Sequence, residues 1–248
     1  MKRLIGPIKH PNSYYLTEQN AELEDYFNFG LSVDCVVFGY HEGEVNVLLV
    51  ERNEEPYKGA WALVGDLVHP QSDLAAAASA ILSNLTGLSG IFMEQFFTFD
   101  AIDRHPLGRV VTVGYYSLVE STNYQPVASS WAKSTRWFSI KDLPELAFDH
   151  QLILDKGIQT LKRRVRYRPV GFELLPQKFT LADLQALYEA LLGRVFDKPN
   201  FRKKILRMNF LTPLDEFEEN VWHRPAKLYS FDEERYNALR KEGFAFEL

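Results

Sequence analysis

The hydrophobic positions in the first two thirds of the chain fall into short apolar runs and alternating segments, which predict a β-sheet. LSVDCVVFGY (31–40) and EVNVLLVER (44–52) are rich in β-branched residues and are joined by His-Glu-Gly, a pattern typical of a hairpin. Further strands are predicted at residues 63–68, 92–99, 109–119 and 135–139.

Two helical segments interrupt these strands. The alanine-rich residues 73–86 begin next to two candidate N-caps, Ser72 and Asp73, and end before Gly87. A longer helix is predicted over residues 149–166. Strands interrupted by two helices indicate an α+β domain, a mixed α/β sandwich over about residues 20–165.

The pattern of the chain changes at two prolines, Pro169 and Pro176. After them, FTLADLQALYEALLG predicts a helix that Thr180 can cap. We therefore predict two domains: residues 1–168, with an N-terminal extension and a connecting helix, and residues 169–248.

The next helix of the second domain is basic. It is predicted from PNFRKKILRMN, with Pro199 near its first turn, and two extended stretches follow at 210–217 and 226–231. Helix, turn, basic helix and β-hairpin are the elements of a winged helix-turn-helix domain, in that order.

Charge is distributed unevenly along this otherwise ordinary globular composition, which is 46% apolar and 25% charged over 248 residues. Residues 151–248 contain 18 of the 28 basic and 14 of the 33 acidic residues, so they carry +4 and residues 1–150 carry −9. The second half is the candidate partner of a polyanion, and clustering by chance is the alternative.

Neither a membrane span nor a secretory signal is predicted. No apolar run approaches the roughly 20 residues that cross a bilayer, and no apolar stretch follows the basic N-terminus. The single cysteine, Cys35, lies in an apolar run and is expected to be buried. The sequence predicts a cytoplasmic protein.

Residues 58–88, KGAWALVGDLVHPQSDLAAAASAILSNLTGL, resemble the signature of the Nudix superfamily of pyrophosphohydrolases. The glycine that opens this signature corresponds to Gly65, and its closing Thr-Gly-Leu corresponds to residues 86–88, with no gap between them. The resemblance covers roughly residues 30–150 and implies the Nudix fold.

The acidic residues of this signature are missing. Its Arg-Glu and Glu-Glu pairs fall on Ala80-Ile81 and Asn84-Leu85, and residues 74–88 contain no Asp or Glu. Carboxylates one helical turn apart hold the Mg²⁺ that bridges a diphosphate and activates water. We therefore expect no catalytic residue, no metal and no cofactor, and residual hydrolysis through a relocated acidic cluster is the alternative.

Such a scaffold is suited to binding a ligand without turnover, and several polar residues are candidates for its pocket. Asp34 is a lone acid in an apolar strand, so it is either at an open strand end or held by a partner. Asp66 is either a turn residue or a ligand contact, whereas Asp73 is interpreted as a helix cap. A structural role is the alternative for each residue. The candidate effector-binding residues are Asp34, Arg52, Trp61, Asp66, Asp103, Arg104 and Arg109.

The basic helix is a candidate DNA-recognition helix. Phe201, Ile205 and Met208 recur at helical spacing and form its core face, so the basic side chains between them are expected to point away from the core. Asn200 either reads adenine or caps this helix. HRPAKLY (223–229) fits a wing that contacts phosphate or the minor groove, and a solvated basic face is the alternative. The candidate DNA-binding residues are Asn200, Arg202, Lys203, Lys204, Arg207, Arg224 and Lys227.

The two parts together resemble the Nudix-related transcriptional regulators, in which a winged helix follows a Nudix-like effector domain. KFTLADLQALYEALLG, DKPNFRKKIL and HRPAKLYSF carry the second part of this resemblance, which extends over nearly the whole chain. It implies a homodimer on a near-palindromic double-stranded DNA operator, usually a repressor, whose DNA binding changes when a small effector occupies the first domain.

The resemblance leaves two effectors open, an ADP-ribose-like ligand in regulators of NAD metabolism and L-arabinose in regulators of sugar use. Without Mg²⁺ a diphosphate loses its main partner, and Asp34, Asp66 and Asp103 can bond sugar hydroxyls, so the sequence favours L-arabinose. A Nudix hydrolase with an appended interaction domain and a small-molecule sensor that binds a protein are alternatives from other classes.

Overall fold

The structure is a computed structural model that describes residues 29–41, 43–219, 221–222, 224–244 and 246. Residues 1–28 of the predicted N-terminal extension lie outside the described residues. In the described part of the chain, no helix is both long enough and apolar enough to cross a membrane.

The first part of the chain forms a seven-stranded sheet. Its strands are β1 (Gly30–His41), β2 (Glu44–Arg52), β3 (Trp61–Ala62), β4 (Val64–Leu67), β5 (Glu94–Phe99), β6 (Val110–Val119) and β7 (Ala132–Ser139). The order is β3-β2-β1-β6-β5, with β4 paired to β1 and β7 paired to β2. The predicted β1–β2 hairpin is confirmed, and β1 and β6 pair in parallel.

Helices α1 (Leu74–Thr86) and α2 (His150–Tyr167) cover opposite faces of this sheet. Side chains of β1 alternate between the two resulting cores, as strand geometry requires. Cys35 and Val37 share a core with α1, whereas Val36 shares the other core with α2. The predicted mixed α/β sandwich and the burial of Cys35 are both confirmed.

Helix α1 has the ends that the sequence predicts. Oδ1 of Asp73 accepts a hydrogen bond from the backbone N–H of Ala76 at 2.8 Å, which makes Asp73 the N-cap. Gly87 closes the helix in the left-handed conformation, with φ 71°.

The second part of the chain is a winged helix-turn-helix, as predicted. Its elements are β8 (Phe179–Thr180), α3 (Leu181–Leu192), α4 (Lys198–Arg207), β9 (Leu211–Phe217), β10 (Lys227–Phe231) and α5 (Glu233–Lys241), with strand order β8-β10-β9. Thr180 and Asp183 form a reciprocal capping box at the start of α3. Helix α5 was not predicted, because it is mostly charged and Tyr236 is its one buried residue.

Helix α2 leads from the first part of the chain to the second. It ends at Tyr167, and a 3₁₀ turn over Val170–Leu174 follows. Leu161 of α2 belongs to the same hydrophobic cluster as Leu184 of α3, so the two parts share a core. The proposed domain boundary between residues 168 and 169 stays a prediction.

Candidate functional site

A cavity of about 240 Å³ opens on the first sheet, where β1 and β4 meet the loop before β6 and the segment before α2. Four of the seven predicted effector-binding residues line it, although they are far apart in the sequence. These residues are Asp34, Arg52, Asp66 and Arg104. We call this cavity the effector pocket, and its role in binding stays a prediction.

The other three predicted residues do not line the effector pocket. Trp61 packs edge-on against Phe138, with ring centroids 4.7 Å apart. Nη1 of Arg109 donates a hydrogen bond to the backbone oxygen of Asp100 at 2.6 Å, and Asp103 is exposed in the same loop. Position along the chain could not show which way these side chains turn.

Arg104 lies between two carboxylates at the base of the pocket. Its Nε and Nη2 donate to Oδ2 and Oδ1 of Asp149 at 2.9 and 2.6 Å, and Nη2 lies 4.0 Å from Oδ2 of Asp34. Nη1 donates to the hydroxyl of Thr112. With only 4% of its side chain exposed, Arg104 is a buried cation fixed in a bidentate pair.

Asp34 is held by partners in the middle of β1, one of the two alternatives that the sequence left open. Burial raises the pKa of its carboxyl to about 7, and Arg104 acts in the opposite direction by favouring the charged form. Asp149 adds to the rise through repulsion. Asp34 therefore exchanges its proton near neutral pH.

Gly65 makes room for this carboxylate. A Cβ atom at residue 65 would lie 1.8 Å from Oδ1 of Asp34 and 2.8 Å from the backbone oxygen of Val33. The glycine that opens the Nudix-like signature is thus required by the close approach of β4 to the Asp34 side chain.

His150, the first residue of α2, completes the buried cluster. Its Nδ1 accepts a hydrogen bond from the backbone N–H of Leu63 at 2.9 Å, and Nε2 lies 3.5 Å from Oδ1 of Asp34. Since Nδ1 is an acceptor, the proton of the neutral ring is on Nε2. Burial lowers the pKa of His150 to about 3.

We expect His150 to stay neutral from pH 8 to pH 5, so its two ring-nitrogen NMR shifts will stay far apart, as in a neutral imidazole, apart from a small displacement as the neighbouring Asp34 titrates. An unfolded histidine takes up a proton near pH 6.5, so the contribution of His150 to stability is fully present above that pH and is lost as the pH falls towards 3. The variant His150→Asn identifies the signal. Convergence of both ring-nitrogen shifts on imidazolium values between pH 7 and pH 6 would contradict the assignment.

Aromatic rings flank the guanidinium of Arg52 at the rim of the pocket. Its Cζ lies 4.7 Å from the ring centroid of Trp131 and 5.0 Å from that of Phe148, and its Nε donates to the backbone oxygen of Pro56 at 2.7 Å. Nε1 of Trp131 donates to Oδ2 of Asp66 at 2.9 Å. A cation and aromatic faces are therefore presented together.

Sequence reasoning missed Trp131, Phe148, Asp149 and His150. Trp131 lies before β7 and the other three lie at the start of α2, far along the chain from the Nudix-like signature. A histidine and an aspartate at the start of a predicted helix were the available signal, but only the packing of α2 on the sheet shows that they reach the pocket.

The residues of α1 do not fit the Mg²⁺ site of Nudix enzymes. Ile81 and Leu85, at two of the acidic positions, are buried against the sheet, while Ala80 and Asn84 are exposed. Among the residues that the structure describes, no group of three or more His, Cys, Asp or Glu side chains could hold a metal ion. No step of a metal-dependent hydrolysis is derived for this chain.

The basic helix α4 presents cations to solvent. Phe201 and Ile205 are buried and Met208 is half-buried, which confirms the predicted core face. Lys203, Lys204 and Arg207 are exposed, as are Asn200 and Arg224, whereas Lys227 is half-buried. Arg202 was expected to point away from the core, but it is half-buried, and its buried Nε has no hydrogen-bond partner among the described residues.

Asn200 does not cap α4, contrary to one of its two interpretations. The cap is Asp197, whose Oδ1 accepts a hydrogen bond from the backbone N–H of Asn200 at 3.1 Å. The helix begins at Lys198, one residue before the predicted start, so Asn200 lies in the first turn with an exposed side chain. A DNA contact by Asn200 stays a prediction.

Two family models match this chain. Residues 28–159 match the NUDIX domain, and residues 171–231 match the NrtR DNA-binding winged helix domain. The first match covers the sheet, α1 and the first part of α2, and the second match covers the strands and the first two helices of the winged helix-turn-helix.

Similar proteins include both regulators and an enzyme. An ADPR responsive transcriptional repressor, NtrR, from Acinetobacter baylyi is 31% identical over 217 residues, which are 86% of each chain. An ADP-ribose pyrophosphatase from Methanocaldococcus jannaschii is 27% identical over 129 residues, 52% of this chain and 73% of that protein. The crystal structure of Shewanella oneidensis NrtR with a 27mer DNA superimposes with a TM-score of 0.71, at 29% identity, over 81% of this chain and 93% of that one.

Proposed function

Because the chain belongs to the Nudix-related transcriptional regulators, we propose that it is a DNA-binding repressor that responds to ADP-ribose. The similar Acinetobacter baylyi repressor, which responds to ADPR, extends over both parts of the chain. The observation that carries the proposal is the pocket itself, where the buried Arg104 and the aromatic-flanked Arg52 face one cavity. Two arginines bind a diphosphate without a metal.

L-arabinose, the effector that the sequence favoured, receives no support from the related proteins. That preference assumed that a diphosphate needs Mg²⁺ once the acids of the signature are lost. Arg52 and Arg104 supply cationic donors in its place, and the aromatic side chains of Trp131 and Phe148 line the same cavity. We therefore propose the other effector that the family resemblance left open, an ADP-ribose-like ligand.

The pocket is proposed to bind ADP-ribose without hydrolysing it. Helix α1 provides no carboxylate to hold a metal, because its inward positions are apolar and buried. Incubation of the protein with ADP-ribose and Mg²⁺ is expected to release no AMP. An AMP-forming activity that co-purifies with the protein would instead support a Nudix hydrolase with an appended DNA-binding domain.

The operator complex is proposed to contain a homodimer on a near-palindromic duplex, as the family resemblance implies, and the location is proposed to be cytoplasmic, as the sequence predicts. Helix α4 would enter the major groove and the wing between β9 and β10 would contact the backbone or the minor groove. The predicted residues Asn200, Arg202, Lys203, Lys204, Arg207, Arg224 and Lys227 are the proposed contacts.

The test begins with selection of tightly bound duplexes from a random library. Fluorescence anisotropy at physiological salt then compares the selected duplex with a scrambled one, with and without ADP-ribose. We expect a preference for the selected duplex and its release by ADP-ribose but not by L-arabinose. Equal binding of both duplexes would contradict DNA recognition, and release by L-arabinose alone would contradict the effector.

Replacing Arg207 by alanine is expected to weaken operator binding roughly tenfold and to reduce the slope of log Kd against log salt by about one. Arg207 is an exposed cation in the last turn of α4, suited to a phosphate contact. Lys58→Ala removes an equally exposed cation from the first part of the chain and serves as the control. An unchanged salt slope in Arg207→Ala would remove this residue from the interface.

A further inference from the structure

The effector pocket is built onto the first residues of α2. Phe148 and His150 both line the cavity, and Phe148 adopts a left-handed conformation with φ 54°. Asp149 lies between them and does not line the cavity, but both of its carboxylate oxygens accept hydrogen bonds from Arg104. The side chain of Asp149 therefore determines where the main buried cation of the pocket is held.

Asp149 also occupies the N-cap position of α2, where a carboxylate has a second possible use. Its side chain makes no capping hydrogen bond, and its backbone, at φ −94° and ψ 23°, is not in the extended conformation of a capping residue. Asp73, at the start of α1, shows the usual arrangement, extended and bonded to the helix. The carboxylate of Asp149 thus bonds Arg104 and does not cap α2.

Helix α2 extends from this point to the winged helix. Its 18 residues span about 27 Å. Near its other end, Arg164 pairs with Glu94 and lies over the ring of Tyr116, 5.4 Å from the centroid. Leu161 shares a hydrophobic cluster with Leu184 of α3. A shift at the first turn of α2 therefore reaches the DNA-binding part through one continuous, packed element.

We infer that Asp149 is a positioning residue that couples the effector pocket to the winged helix by exchanging its bond to Arg104 for a cap on α2. This inference rests on the proposed function. The diphosphate of the effector competes with Asp149 for the guanidinium of Arg104. The released carboxylate then accepts hydrogen bonds from backbone N–H groups in the first turn of α2, and these bonds stabilise a second position of this helix.

Asp149→Ser separates the two uses of this side chain, because serine is a good N-cap but cannot pair with Arg104. The variant should resemble the effector-bound form before any effector is added. We expect it to bind the selected operator roughly tenfold more weakly and ADP-ribose roughly tenfold more tightly, since binding coupling is reciprocal. We also expect slower hydrogen exchange of the amides of residues 151 and 152.

The experiment measures operator binding by anisotropy, ADP-ribose binding by calorimetry and amide exchange by mass spectrometry, on the full chain. Asp155→Ser is the matched control, because Asp155 is exposed on α2 and accepts a hydrogen bond from the nearby Gln151, at 2.9 Å, rather than from a residue of the pocket. It should leave all three readouts unchanged. If Asp149→Ser does not fold, Asp149→Asn, which keeps the shape but removes the negative charge that pairs with Arg104, takes its place.

Opposite changes in the two affinities support the inference, because damage to the fold would weaken both. Unchanged affinities in Asp149→Ser, or a loss of both affinities, would overturn the inference. The proposed function would still stand in that case if ADP-ribose releases DNA from the wild type. If ADP-ribose does not affect the wild type, the proposed effector is wrong. Even with another effector, weaker operator binding and slower amide exchange in Asp149→Ser would support the coupling between the pocket and the winged helix. Unchanged operator binding and unchanged amide exchange would overturn it.

Discussion

Replacing Arg104 by alanine will weaken ADP-ribose binding roughly 100-fold, or about 3 kcal/mol, and lower the free energy of unfolding by a similar amount. Arg104 is the cation shared by Asp34 and Asp149 in this buried cluster, and its removal leaves both carboxylates without the guanidinium that offsets their charge. Since burial already raises the pKa of Asp34 to about 7, Asp34 can take up a proton. The loss of stability is therefore expected to be smaller at pH 6 than at pH 8.

Calorimetry with ADP-ribose and urea unfolding at the two pH values measure these effects. Arg109→Ala is the control, because Arg109 belongs to the same loop but bonds the backbone of Asp100 outside the pocket. It should change the affinity for ADP-ribose less than twofold. An Arg104→Ala variant that binds ADP-ribose like the wild type would show that the effector does not use this pocket.

Gly65→Ala will lower the free energy of unfolding by about 3 kcal/mol, the upper range for an overpacked site. The new Cβ would overlap Oδ1 of Asp34 at 1.8 Å and press on the backbone oxygen of Val33 at 2.8 Å. A flexible neighbour could turn away, but Asp34 is buried and a strand backbone cannot move without disturbing the pairing of β1 and β4. The pocket should therefore be damaged together with the fold.

Urea unfolding of two further variants checks this cause. In Gly30→Ala the new Cβ would meet methyl groups of Leu67 and Val110 at 3.3 Å and the backbone oxygen of Arg109 at an ordinary 3.7 Å, so we expect a loss well below that of Gly65→Ala. Combining Asp34→Ala with Gly65→Ala removes the overlapping carboxylate, so the two losses should not add. Additive losses would show that the Asp34 carboxylate is not what excludes a side chain at residue 65.

Much of the fold could be predicted because its elements have local signals. Strands β1 and β2 alternate β-branched residues around a short turn, and α1 and α3 begin at residues that form their caps in the structure, Asp73 and Thr180. These signals act within a few residues, so they are visible in the sequence. Helix α5 also begins at a capping residue, Asp232, but it lacks an apolar face that would mark it as a helix, since Tyr236 is its one buried residue.

The effector pocket could be predicted only in part. Asp34 and Arg104 could be predicted as pocket residues because they are charged residues beside apolar segments. The residues that bond to them are distant in the sequence, so local patterns do not show them. Asp149 meets Arg104 across 45 positions, and the backbone of Leu63 meets His150 across 87. Trp61, which precedes the Nudix-like signature, drew attention because of that position alone, yet the structure places it outside the pocket.

The sequence by itself determined that α1 carries no metal-binding acids and that a basic winged helix follows, because the identity of a residue decides its charge and its local propensity. The tertiary structure decided what the scaffold uses instead. Parallel pairing of β1 with β6 and the packing of α2 on the sheet bring Asp34, Arg104 and Asp149 together in a buried cluster. In this cluster the guanidinium of Arg104 is a fixed partner for an anion, and the carboxyl of Asp34 exchanges its proton near neutral pH. Both properties depend on burial and distance rather than on order along the chain.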